Sequence, residues 1–200
     1  MGEALAAQRN PQTAKSVISR LSGEPGEAIE AECEVATTID KLVGHGERGV
    51  LVVGVGNPLR GDDAAGLILG EQVAQKLGWE YLRSEEVPES YLGEMLASPA
   101  DTILLVDAVD MQAPAGEIRM LSPDDLANNG ISTHNCSIAL LATVLAGLKD
   151  KRTLVLGIQP ENPGWGEYLT SPVVAAIERF VAALPGGSVP PPGSTGDPPG

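Results

Sequence analysis

Two kinds of apolar pattern alternate through the middle of this chain. Val50-Leu51-Val52-Val53-Gly54-Val55, Thr102–Val106 and Thr153–Ile158 are short, unbroken apolar runs rich in β-branched residues. Such runs mark strands buried on both faces. Between them lie stretches with helical spacing. Ala64–Leu77 is stopped by Gly78, Ser90–Ala97 ends before Pro99, Cys136–Leu148 is strongly apolar, and Pro172–Leu184 is amphipathic with proline at a tolerated early position. Glu80–Glu85 and Glu117–Leu121 read as further, less buried strands. Strands alternating with helices predict an α/β fold: a three-layer sandwich with a mainly parallel twisted sheet and helices on both faces.

The pattern weakens at both ends. Residues 1–47 form an N-terminal extension with two helical stretches, Gln12–Leu21 and Glu27–Leu42, broken by Gly23, Pro25 and Gly26 and closed by Gly44 and Gly46. The α/β domain is expected over 48–184. Residues 185–200 are rich in proline, glycine and serine, a composition that buries too little apolar surface to order itself.

Composition narrows the function. Apolar residues make up 42% of the chain and aromatic residues only 3%, so the core must be aliphatic. A formal net charge of −14 opposes nucleic-acid binding, which needs clustered Lys and Arg, and opposes adhesion to an anionic membrane. No apolar stretch is long enough to cross a bilayer, and the N-terminus lacks a basic start followed by an apolar run. Cys33 and Cys136 form no CxxC pair and no disulfide framework. Together these features lead us to expect a cytoplasmic protein with neither a nucleic-acid partner nor membrane insertion.

Candidate chemistry begins after the first strand, in Gly54-Val55-Gly56-Asn57-Pro58-Leu59-Arg60-Gly61-Asp62-Asp63. Leu59 stands where a dinucleotide fingerprint needs glycine. Asp62 and Asp63 stand where a P-loop needs Lys and Ser/Thr. Two carboxylates there repel phosphate and attract a cation. An aspartate at a helix start can also cap free N–H groups. One suffices, so Asp62 is assigned the cap and Asp63 is left to face a crevice. Asp107 directly follows the run Ile103–Val106, at the strand end where open parallel sheets bind ligands. His134 lies in Ser132-Thr133-His134-Asn135, just ahead of an apolar helix. Asp63, Asp107 and His134, each from a separate loop, would make a three-ligand metal site with open positions. Asp110 is placed in the loop after Asp107. Cys136, two residues from His134, has no third group to orient a thiol nucleophile, and neither H-E-x-x-H nor G-x-S-x-G occurs.

Four ordered blocks together resemble the [NiFe]-hydrogenase maturation endopeptidases. They are the Gly54–Asp63 segment, Val106-Asp107-Ala108-Val109-Asp110 with Pro114-Gly116-Glu117, Ser132-Thr133-His134-Asn135, and Gly157-Ile158-Gln159-Pro160-Glu161. The likeness runs from about Val50 to Phe180 and is greatest to the branch serving formate-hydrogenlyase-like hydrogenases. It implies an aspartyl-type endopeptidase that removes the C-terminal extension of a hydrogenase large-subunit precursor after nickel insertion. It also implies that the family's metal contacts fall on Asp63, Asp107 and His134. The nickel would come with the precursor as a recognition signal. Two departures stand out: Ala64 replaces the glycine usual after the acidic pair, and Ser84-Glu85-Glu86-Val87-Pro88-Glu89 replaces a Gly-rich stretch. Glu89 is read as a solvated surface carboxylate. A non-catalytic nickel-sensing or chaperone-like module would use the same three ligands, and a small-molecule hydrolase is a further rival.

Overall fold

The computed structural model describes residues 49–121, 133–147, 151–166 and 168–186. The helices expected within 1–47, and the tail from residue 187 onward, lie outside the described residues. Five strands, β1 (Val50–Val55), β2 (Glu80–Glu85), β3 (Thr102–Ala108), β4 (Ile118–Leu121) and β5 (Arg152–Ile158), form one sheet in the order β2-β1-β3-β5-β4. The first four strands in that order pair in parallel, and β4 closes the far edge antiparallel to β5. The unbroken apolar runs are the three central strands. The more polar β2 and β4 take the edges, where one side of each strand needs no partner.

Among the described residues four α-helices cover the sheet: α1 (Ala65–Leu77), α2 (Leu92–Ala97), α3 (Thr133–Ala146) and α4 (Ser171–Ala183). Strand alternation divides the core into two layers. Val50, Val52, Leu104, Val106, Leu156 and Ile158 face α1 and α4. Leu51, Val53, Val55, Ile103, Leu105 and Val155 face Met95 of α2 and Ile138, Leu141, Ala142 and Leu145 of α3. The α4 stripe Val173, Ala176, Ile177 and Phe180 is buried at i, i+3, i+4 and i+7. The three-layer α/β sandwich expected from the sequence is therefore present.

Several boundaries differ, and two bear on the site. Asp107 lies inside β3, paired with Gly157, because the parallel ladder with β5 continues to Ala108. His134 lies within the first turn of α3 and not ahead of it, since the helix begins at Thr133. The helical stretch expected from Ala64 opens with a 3-10 turn, Gly61–Ala64, and the one expected from Ser90 with another, Pro88–Tyr91.

The strand order fixes where a ligand crevice can open. From β1 the chain crosses by α1 to β2 on one side, then returns by α2 to β3 on the other. Neighbouring connections leave in opposite directions between β1 and β3, so the carboxyl ends of those strands flank the switch point of the sheet.

Candidate functional site

The β1 loop is shaped by its own polar groups. The Asn57 side-chain oxygen accepts from the Leu59 N–H at 2.8 Å, and the Asn57 carbonyl accepts from the Arg60 N–H at 3.1 Å. The chain is thereby turned back toward the sheet. A carboxylate oxygen of Asp63 accepts from the Asn57 N–H at 3.1 Å, which ties the end of the loop to its start. Gly56 makes this closure possible: its φ is +137°, and a Cβ there would sit 1.9 Å from the Asp63 carbonyl oxygen. Gly66 does the same for the next layer. A Cβ on it would fall 2.3 Å from the Val55 carbonyl and 2.7 Å from the Asp107 Cα, so only glycine lets α1 begin this close to both strands.

Asp107 is buried at the carboxyl end of β3. By strand alternation it shares the face of Ile103 and Leu105, the face covered by α3. Its carboxyl is pushed from 3.8 up to about 7, first by burial, then by the negative charge of Asp63, with the Ala108 backbone N–H pulling the other way. Asp63 and Asp107 thus interact electrostatically across the switch point. A proton on Asp107 relieves both the burial and the repulsion, and a cation would do the same.

The direction of α3 places the helix turn that carries His134. The helix runs into β5, whose first residue, Arg152, lies at the amino edge of the sheet. Its 14 residues span about 21 Å, close to the length of the seven-residue strand β5, about 23 Å. Laid antiparallel along β5, a helix of that length would bring its Thr133 end toward the carboxyl edge, where Asp63 and Asp107 sit. The side chain of His134 is outside the described residues. Among the described residues no three His, Cys, Asp or Glu side chains group closely enough to hold a metal ion.

Asp62 departs from its expected role. It makes no capping hydrogen bond to the 3-10 turn or to α1. Completely buried, its carboxylate instead accepts from the backbone N–H groups of Glu161, Asn162 and Thr170 at 2.9, 2.8 and 2.7 Å, and from the Thr170 hydroxyl at 2.9 Å. Those donors lie on the loop between β5 and α4. Backbone bonds from Gly61 N to Gly166 O at 2.8 Å and from Asp62 N to Asn162 O at 3.1 Å complete the weld. Distant donors outcompete the local cap because a buried carboxylate needs several N–H groups, and this loop presents them together.

Comparison with known proteins bears on what this edge does. The family model for hydrogenase maturation protease matches residues 86–185. The Hydrogenase 3 maturation protease of Escherichia coli (strain K12) is 34% identical over 137 residues, which is 66% of this chain and 86% of that protein. The chain belongs to the hydrogenase maturation protease family. Solved structures agree. A [NiFe] hydrogenase maturation protease HycI from Thermococcus kodakarensis KOD1 superposes with TM-score 0.61 at 25% identity, over 72% of this chain and 94% of that one. The hydrogenase maturating endopeptidase HybD from E. coli gives 0.56 at 26% identity, over 67% and 88%.

Within this protease the structure shows further residues that organise the edge. Gln159 is buried, and its side-chain oxygen accepts from Met111 N at 2.7 Å and Ala113 N at 3.3 Å. Its amide donates to Asp110 at 3.3 Å, so one side chain pins the loop after β3. Gln159 stands in the fourth sequence block, yet nothing in the sequence pattern gave it a partner. Thr170 had no signal at all, since its role exists only through Asp62, 108 positions away. Ala64 meets no obstacle: its φ of −75° is ordinary right-handed backbone, so the loop does not need glycine at that position. Glu89 is exposed, as expected of a surface carboxylate. No helix among the described residues is long and apolar enough to cross a membrane.

Proposed function

We propose that this protease removes the C-terminal extension of a [NiFe]-hydrogenase large-subunit precursor after nickel has been inserted, as an aspartyl-type endopeptidase of the cytoplasm. Asp63, Asp107 and His134 engage the nickel that the precursor carries. The observation that carries this reading is Asp107: a buried carboxyl next to a second carboxylate, at the switch point of a sheet in a maturation-protease fold. Such a pair is costly by itself and is relieved by a positive ion. It therefore suits a site that meets its metal only when substrate arrives. Two carboxylates and an imidazole are weaker ligands for nickel than a thiolate cage, which suits testing a metal that the precursor still holds.

The test is cleavage of a large-subunit precursor, with and without nickel, read by mass. Nickel-loaded precursor should lose its extension when mixed with chelator-dialysed protease, and nickel-free precursor should stay whole even with zinc added to the protease. Binding of loaded precursor without any cut would favour the non-catalytic nickel-sensing module. Loss of activity on removing stoichiometric zinc would favour an ordinary resident-metal peptidase.

A further inference from the structure

Beside Asp63 the molecule carries a face that its own fold leaves unsatisfied. Leu59, Trp165 and Tyr168 are 63%, 80% and 82% exposed, among the most exposed large apolar side chains of the described residues. All three belong to the two loops that Asp62 welds together, so they stand on a braced platform and not on a free strand. Next to them is a groove of about 230 Å³ whose lining includes Pro58, Gly61, Ala64, Leu67, Leu169 and Arg83. Gly61 and Ala64 are the two ends of the 3-10 turn that holds Asp63. A chain lying in this groove touches the turn that carries Asp63.

The protein as a whole carries −14, yet two arginines border the groove region. The Arg60 guanidinium lies 6.0 Å from the centroid of the Trp165 ring, and among the described residues no carboxylate pairs with it and its Nε has no hydrogen-bond acceptor. Arg83 has only an exposed contact with Glu85 at 3.4 Å, worth little in water. A cation held against an aromatic face without an anionic partner is prepared for one that arrives with a ligand.

We propose that this face docks an extended segment of the precursor, with apolar side chains packing on Leu59, Trp165 and Tyr168 and filling the groove, and an acidic group meeting Arg60. This rests on the proposed function and adds to it the surface that selects the substrate. Large aromatic residues beside an arginine are the types that dominate binding energy once buried by a partner. The dock acts on binding and not on the bond being cut, so its loss should appear in KM.

Steady-state cleavage of nickel-loaded precursor, encoded in the same genome, tests this with Trp165→Ala, Arg60→Gln and the control Leu96→Ala, an exposed apolar residue on α2. Trp165→Ala and Arg60→Gln should each raise KM by about tenfold or more with kcat nearly unchanged, Trp165→Phe should recover most of the loss, and Leu96→Ala should be silent. Wild-type cleavage with unchanged KM in both variants overturns the dock and leaves the proposed function standing. A fall in kcat alone, or an equal effect from Leu96→Ala, also overturns it. If wild-type protein neither binds nor cuts loaded precursor, the proposed function fails and the dock fails with it.

Discussion

At the amino end of the sheet, Lys151 sends its ammonium to the carbonyls of Ser98 and Ala100 at 2.6 and 2.5 Å, and Arg152 N meets Asp101 O at 2.7 Å. The left-handed backbone positions there, Gly49 and Gly78, are glycines. At the carboxyl end Asp107 is buried beside another carboxylate, and Glu85 and Gln112, neither of them glycine, hold φ of 53° and 55°. The amino end matches its charge to acceptors; the carboxyl end, which also bends at Gly56, Gly61 and Gly116, adds two non-glycine residues in the left-handed region. The carboxyl end keeps unfavourable electrostatics at the switch point, where a ligand can relieve them.

The most drastic way to break the contrast is to remove charge from the carboxyl end. Asp107→Asn and Asp63→Asn should each lower processing of loaded precursor by at least about a hundredfold, with circular dichroism unchanged. Full activity in Asp107→Asn would mean that the buried pair is only a structural cost.

The same carboxyl gives a pH signature. The unfolded chain releases this proton near 3.8, while the folded state holds it until about 7. Between those values folding takes up a proton, so Asp107 costs stability progressively as pH rises from about 4 to 7 and the cost is complete above that. Asp107→Asn lacks it. Wild-type stability should therefore fall relative to the variant across that window, by a few kcal/mol and at most about 4. Denaturant midpoints at several pH values measure the difference, and parallel curves would sink the idea.

Asp62→Ala sharpens the comparison from within the carboxyl end. It leaves three backbone N–H groups and a hydroxyl without their acceptor, a loss of about 3 kcal/mol or more. That exceeds what a helix cap alone would cost, about 1 kcal/mol. Lys151→Met at the amino end should cost about 2 kcal/mol while leaving specific activity of the folded protein intact. Thermal melts combined with activity per folded molecule separate the two: Asp62→Ala should affect both, Lys151→Met only the first.

These residues also show what a sequence makes legible. Val50–Val55 and Thr102–Val106 announced themselves because burial on both faces leaves a local, unbroken apolar mark. Asp107 could be placed at the carboxyl edge because it directly follows such a run, a position that a cap or turn residue fits as well. Asp62 misled because capping is local and readable, whereas its true partners lie about a hundred residues away and are mostly backbone N–H groups, which every residue carries. Gln159 and Thr170 were unreadable for the same reason. Trp165 and Tyr168 were not singled out, since exposure depends on what the fold brings over a side chain.

The smallest effect concerns Ala64, where the resemblance led us to expect glycine. If the loop required glycine's freedom, restoring it would tighten the site and raise activity. The backbone there is right-handed, with φ −75° and ψ −7°, so an alanine Cβ is tolerated without strain. The side chain is also buried and lines the groove beside Asp63. Ala64→Gly should then only widen the choices of the unfolded chain and remove one methyl, costing about 0.5–1 kcal/mol. Processing by the folded variant should match wild type within about twofold, a small free-energy difference on this scale. A clear gain in kcat would show that the close approach of α1 to the two aspartates is limited by this methyl, and that the carboxyl end tolerates less bulk than its backbone angles suggest.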